Sequence, residues 1–271
     1  MNRLFQTTIA GLGLMGLVGL GHAEDRQLTI TGSSTVAPLV MEMAKRFEQR
    51  HADVRIDVQT GGSTRGLIDA RRGTADIGMM SRALTEKEAD MVGHTLALDG
   101  VTLIVHRDNP LEDIDKAQVR AIYRGEIQNW SALGGPDQPI TVVHKAEGRS
   151  TLEVFLAHFE LKNSEVQPDA IIGDNQQGLK TVAGNRYSIA YVSIGAAVYE
   201  RNRGAAIKPL SLSGVAPEVA RVRTGEFPLS RPLNLVTAEP PQGLAREFIE
   251  FARSAEVHDL IEAQFFVPFG D

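Results

Sequence analysis

Three times along this chain a β-prone run ends in a cluster of Ser, Thr and Gly, and an amphipathic helix starts from it. Residues 27–31 lead into Gly32-Ser33-Ser34-Thr35, after which Val36, Leu39, Val40, Met43 and Phe47 recur at helical spacing. Residues 54–58 alternate as a strand before Gly61-Gly62-Ser63-Thr64-Arg65-Gly66 and a helix containing Leu67 and Ile68. Residues 140–143 run into Lys145-Ala146-Glu147-Gly148-Arg149-Ser150-Thr151, followed by Leu152, Phe155, Leu156 and Phe159. Strands that alternate with helices in this way predict an α/β fold.

Other segments fit the same plan. Residues 76–80 read as a buried strand ending at Ser81-Arg82, and 101–105 as a strand stopped by Asp108-Asn109-Pro110. A helix over about 116–123 starts at Asp115-x-x-Gln118, a capping box. A strand is expected at 189–192, and helices near 244–252 and 256–263. No repeat or low-complexity tract interrupts them.

A helix start leaves its first backbone N–H groups without partners and carries the positive end of the helix dipole, so it suits an anion. Hydroxyls add neutral donors, and Arg or Lys adds charge-assisted ones. A Ser or Thr in this place is more often only a cap. Three such starts, two with Arg65 or Arg149 beside them, point to an anion site. Gly62-Ser63-Thr64-Arg65-Gly66 lacks the Gly-Lys-Ser/Thr ending of a nucleotide phosphate loop. No Gly-x-Ser-x-Gly elbow and no His-Glu-x-x-His is present, so no hydrolase or zinc signature stands out. The histidines, among them His51, His94, His106, His144, His158 and His258, read as surface or packing residues, and no metal or cofactor is expected.

The formal net charge of −6 disfavours nucleic acid as a partner. With no Cys among 271 residues there is neither a disulfide frame nor a thiolate nucleophile, and the core must come from apolar burial alone. Residues 1–23 read as a secretory leader: Arg3, the apolar run from Ile9 to Leu20, then small residues at Gly21 and Ala23 for cleavage. A membrane anchor is the alternative, but the run falls short of about 20 apolar residues. Gly11-x-Gly13-x-x-Gly16 within it lacks the strand–turn–helix setting of a dinucleotide site.

The stretch Gly32-Ser33-Ser34-Thr35-Val36-Ala37-Pro38-Leu39 resembles the first anion loop of the phosphate-binding proteins of bacterial ABC importers, the PstS-like periplasmic substrate-binding proteins. The resemblance continues through Gly62-Ser63-Thr64-Arg65-Gly66, Asp76-Ile77-Gly78-x-x-Ser81-Arg82 and Leu98-Asp99-Gly100-Val101. It extends over Asp108-Asn109-Pro110-Leu111, residues 122–130, Leu133-Gly134-Gly135, residues 189–193 and Phe266-Val267-Pro268, so it spans nearly all of the chain after the leader. It implies a two-lobed periplasmic binding protein (type II), each lobe a sheet flanked by helices, with a two-strand hinge. One lobe would comprise 24–106 with 201–271, and the other 107–200.

The resemblance also implies roles. Ser34 and Thr35 would make the first anion contact, Ser63 and Thr64 the second, and Arg82 would lie near the cleft. Asp76 matches the carboxylate that accepts a proton from bound phosphate, a contact that sulfate, lacking a proton, would leave unmade. The opposite lobe usually brings Arg-x-Asp-Gly-Ser-Gly-Thr; here Lys145 replaces the Arg, Glu147 the Asp, and Arg149-Ser150 the Ser-Gly, ahead of Thr151. Lysine offers a point charge where arginine offers a fork. The implied protein is a periplasmic monomer, cleaved near Ala23, that delivers inorganic phosphate to the membrane subunits of an ABC permease without chemistry of its own. A receptor for another oxyanion such as molybdate or sulfate, a phosphate sensor, and a secreted phosphoesterase using Ser34 or Ser63 remain as alternatives.

Overall fold

A computed structural model describes residues 26–270; the expected leader at 1–23 lies outside the described residues. The chain begins β1 (Arg26–Gly32), α1 (Ala37–Arg50), β2 (Val54–Thr60), α2 (Ser63–Arg72) and β3 (Ile77–Met80). A long β4 (Val92–His106) follows, then β5 (Asp113–Ile114), α3 (Lys116–Tyr123), β6 (Thr141–Lys145) and α4 (Ser150–Phe159). Next come β7 (Ala170–Ile172), α5 (Asn175–Gly184), β8 (Ser188–Ser193), α6 (Ile194–Asn202), β9 (Ile207–Pro209) and β10 (Ser211–Leu212). The chain closes with α7 (Val219–Arg223), β11 (Ser230–Thr237), α8 (Gly243–Ala252), α9 (His258–Ala263) and β12 (Val267–Pro268).

The periodicities read from the sequence form the elements they imply. In α1 the residues Leu39, Val40, Met43 and Phe47 are all buried, and all of β3 is buried, as suits an interior strand between parallel β1 and antiparallel β11. Asp115 and Gln118 exchange both bonds of the capping box at α3. The strands β10 and β11, and β4 before residue 101, carried no clear signal. Pro232 lies inside β11, a residue that argues against a strand when only the sequence is read.

The strand path runs β2-β1-β3-β11-β4-β8-β6-β7, with β9 and β12 also on β4. It serves two lobes because β4 belongs to both. Its first part pairs antiparallel with β11, from Val92↔Thr237 to Gly100↔Ser230, and its second part pairs with β8, from Val101↔Ser193 to Val105↔Ile189. One apolar core gathers Leu28, Ile30, Leu39, Met43, Phe47, Leu96, Leu233, Leu235 and Phe248. The other gathers Val101, Leu103, Tyr123, Trp130, Phe155, Tyr191, Phe227 and Leu229. This is the two-lobed α/β architecture expected, with β4 and β11 as the crossing strands.

The crossing points are displaced from the expected 106/107 and 200/201. Residues 101–106 and 207–229 pack on the second lobe, because β9 pairs with the distal part of β4 and Leu210, Leu212, Val222 and Phe227 complete that core. Drawn by core membership, the chain crosses near Gly100 and again near Ser230.

The second core is built around aromatic rings. Phe155 and Tyr191 stack with centroids 3.9 Å apart at 9°, and Tyr123 lies 4.7 Å from Phe155. Trp130 is fully buried and donates Nε1–H to the Tyr187 carbonyl at 2.9 Å. Removing that ring leaves a large cavity and an unpaired carbonyl. Trp130→Ala should therefore lower unfolding free energy by about 3–5 kcal/mol, read by urea titration followed by circular dichroism.

Candidate functional site

Strand direction places the site. β1, β2 and β3 are parallel, as are β6 and β7, so their carboxyl ends face one another across the cleft between lobes. Ser33, Ser34 and Thr35 follow β1, Gly62 and Ser63 follow β2, and Ser81 follows β3. From the other lobe come Lys145 at the end of β6, Arg149, Ser150 and Thr151 at the start of α4, and Gly173 after β7. Together they line a narrow polar slot of about 210 Å3, part of it open to solvent. The slot suits a group of a few heavy atoms.

The three helices that open on the slot have no side-chain cap: neither Val36 before α1, nor Gly62 before α2, nor Arg149 before α4 supplies one. By contrast α3, α5 and α6 are capped by Asp115, Asp174 and Ser193. Among the described residues the N–H groups of Ser63 at the start of α2 and of Ser150 and Thr151 at the start of α4 have no backbone partner, whereas Ala37 of α1 donates to the Ser33 carbonyl and Thr64 of α2 to the Gly148 carbonyl. Ser150, 2% exposed, has a buried Oγ with no hydrogen-bond partner among the described residues. A buried hydroxyl left this way costs free energy unless something in the slot completes it.

Lys145 is 3% exposed, and its ammonium has no hydrogen-bond partner among the described residues. Burial first, then the neighbouring Arg231 and Arg149, push its pKa down to about 7 against the pull of Asp174. The Arg149 side chain lies between the glycines: a Cβ built on Gly62 would sit 2.9 Å from its Cδ, and one on Gly173 3.5 Å from its Nη2. Arg149 thus projects along the slot wall.

Sequence reasoning missed the group at the slot's floor. Arg231, on β11 and 2% exposed, uses all five guanidinium N–H groups. Nε and Nη2 donate to Asp99 Oδ2 at 3.1 and 2.9 Å; Nη1 donates to Thr151 Oγ1 at 2.9 Å and Ser81 Oγ at 3.3 Å. The last proton goes from Nη2 to Thr35 Oγ1 at 3.4 Å. Asn175 Nδ2 also donates to Thr35 Oγ1 at 3.1 Å. These oxygens accept from the floor, so their own hydrogens are free to donate into the slot. Ser193 Oγ and the Gly195 N–H complete Asp99 Oδ1 at 3.0 and 3.3 Å. Asp99 lay within the Leu98-Asp99-Gly100-Val101 run of the resemblance, which was the one signal for this pair.

Three expected contacts, Asp76, Arg82 and Thr64, are placed elsewhere. Asp76 stands before β3, at its amino end, while the slot is at the carboxyl end, roughly 16 Å away along the strand. It is exposed and accepts the Thr29 N–H at 2.7 Å. This corrects the expectation of a proton-accepting carboxylate at the ligand: Asp76 caps the amino end of β3 against the neighbouring β1. Arg82 is spent on carboxylates, pairing with Glu88 at 2.7 Å and with Glu153 of α4. Arg82 holds Glu88 down at about 2. Thr64 turns toward the same Glu153, donating to Oε1 at 3.4 Å, and its N–H donates to the Gly148 carbonyl at 3.3 Å. Arg82 and Thr64 thus clasp the lobes together beside the slot instead of lining it. Ser33 and Ser81 line the slot in addition to the expected residues.

At Gly62 the backbones of the two lobes pass close to each other. Its φ of +97° favours glycine, and a Cβ there would meet the Gly148 carbonyl at 2.6 Å. Gly62→Ala should hold the lobes apart and weaken oxyanion binding at least tenfold by titration calorimetry. Arg231→Met should lower stability by about 3–5 kcal/mol because Asp99 stays buried and uncompensated. The double variant with Asp99→Asn should recover much of that loss in urea unfolding.

The model of the PBP superfamily domain matches residues 20–256. The phosphate-binding protein PstS of Bacillus subtilis (strain 168) is 31% identical over 249 residues, covering 90% of this chain and 81% of its own length. A putative phosphate ABC transporter substrate-binding protein from Clostridium perfringens, solved with bound phosphate, superposes with a TM-score of 0.83 at 30% identity, covering 90% of this chain and 99% of that one. An ABC-type phosphate transport receptor from Vibrio cholerae gives a TM-score of 0.74 at 30% identity, covering 89% and 99%. On the extent of this similarity in sequence and fold, the chain belongs to the PBP superfamily and, within it, to the PstS phosphate-binding proteins.

Proposed function

We propose that this protein captures inorganic phosphate between its lobes and presents it to the membrane subunits of an ABC importer. The observation that carries this reading is the narrow polar slot itself. Two basic side chains, Lys145 and Arg149, and the unpartnered Ser150 hydroxyl face a space too small for a sugar or a nucleotide. The uncapped starts of α2 and α4 add backbone donors, and Arg231 turns the Thr35, Ser81 and Thr151 hydroxyls into donors as well. The relatives named as phosphate-binding proteins support the ligand and the importer.

The protein acts by binding alone. Ser63 Oγ accepts the Ser81 N–H at 3.3 Å, and among the described residues neither Ser34 nor Ser63 has a histidine or carboxylate hydrogen-bonded to its hydroxyl. Without such a base a serine is a poor nucleophile. No helix among the described residues is long and apolar enough to cross a membrane. Export through the leader at 1–23 and action as a periplasmic monomer complete the proposal.

A second reading, capture of another tetrahedral oxyanion such as sulfate or molybdate, is favoured by one observation. The slot offers no free carboxylate, since both oxygens of Asp99 are occupied, so nothing of that kind penalises an anion without a proton.

Calorimetric titration of phosphate into protein freed of ligand should give micromolar or tighter binding. Ser150→Ala should weaken it about tenfold, as loss of one hydrogen bond to a charged group does. Asp76→Asn should leave both affinity and the phosphate-to-sulfate ratio unchanged. Equal binding of sulfate would move the ligand assignment to the second reading, and heat with no oxyanion would remove both.

A further inference from the structure

We propose that this protein takes up a proton on Lys145 Nζ for each oxyanion dianion it captures, so that the slot charges itself as it fills. This rests on the oxyanion reading above. Among the residues that line the slot, Lys145 carries the one amine, and a guanidinium does not give up its proton in a protein. Asp99 beneath it accepts from Arg231 on one oxygen and from Ser193 and Gly195 on the other. Lys145 Nζ is thus the atom that exchanges a proton with a ligand or with water.

Its surroundings make that exchange responsive. The side chain is buried at the end of β6 with no hydrogen-bond partner for its nitrogen among the described residues. Two cations face it, Arg231 from β11 and Arg149 from the start of α4, and both oppose its charge. Asp174, ahead of α5, favours the charge, but that carboxylate already accepts the Gln177 N–H at 2.8 Å. Burial and the two guanidinium groups thus bring the group down to about 7, where the ligand-free slot holds the amine partly uncharged. An anion seated against the nitrogen reverses the balance, because an opposite charge in a dry site favours the ammonium strongly.

The proton has two sources. A ligand that arrives as H2PO4− can supply it: H2PO4− and the amine become HPO4 2− and the ammonium, with no net exchange with solvent. A ligand that arrives as HPO4 2− draws the proton from solvent, and the medium loses one proton per phosphate bound. An arginine in this position would bring its charge permanently and take up nothing.

The test is calorimetry of inorganic phosphate at pH 8 in two buffers of different ionisation enthalpy, with the native protein and Lys145→Arg. Uptake close to one proton per phosphate is expected for the native protein, and almost none for the variant. The difference between the two should vanish near pH 6, where the lysine is already charged. No uptake by the native protein at pH 8, or the same uptake by Lys145→Arg, would overturn the proposal. Should Lys145→Arg fail to hold phosphate, the native protein alone decides. Its affinity should fall about tenfold per pH unit once the free amine is uncharged and phosphate is a dianion, and a constant affinity from pH 8 to 9 would overturn the proposal. Absence of phosphate binding at every pH would instead remove the phosphate reading beneath it.

Discussion

The buried pair of Arg231 and Asp99 is the constraint on which the site depends. Removing two charges from water is costly, and the cost is recovered only where hydrogen bonds use up the donors and acceptors. Here every guanidinium N–H has a partner, and both carboxylate oxygens are engaged. The partners of Arg231 come from both lobes: Thr35 and Ser81 from one, Thr151 from the other. One side chain therefore fixes the mutual positions of three loops and dictates which way their hydroxyls donate. Its own charge is balanced by Asp99, so Lys145 and Arg149 are left to meet the ligand.

Much of this was readable from local pattern. The three helix starts were visible because caps, turns and helical periodicity are written within a few residues of one another. Lys145, Arg149, Ser150 and Thr151 sit together for the same reason: they are neighbours along one strand–loop–helix segment. What the sequence hid was long-range. Asp76 and Ser81 flank the same short strand, yet only the carboxyl end of β3 opens on the cleft, and strand polarity separates them. Arg231 lies in a run interrupted by Pro232, with its function supplied by Asp99 some 130 residues earlier in the chain. Arg82 carries a charge that looks suited to an anion, but Glu88 and Glu153 claim it through folding that no local pattern announces.

The two departures at the second anion loop also acquire a physical meaning in combination. Lys145 surrenders the forked geometry of arginine, while Arg149, one turn-position further on, returns a fork to the slot wall. The charge of the site is thereby divided between a permanent cation and an adjustable one. A fixed cation would hold the anion through electrostatics alone, whereas an adjustable one links the hold to the acidity of the compartment.

The position of the ion pair within the sheet has a mechanical consequence. Asp99 and Arg231 face each other as register partners on β4 and β11, at the place where these two strands pass from one core to the other. A fold line here acts as an axle: displacement is small beside it and grows with distance from it. Any parting of the lobes about this line would carry the loops bearing Lys145, Arg149 and Gly62 farther than the Asp99–Arg231 pair. The ions that hold the two halves in register thus sit where relative displacement of the halves would be least.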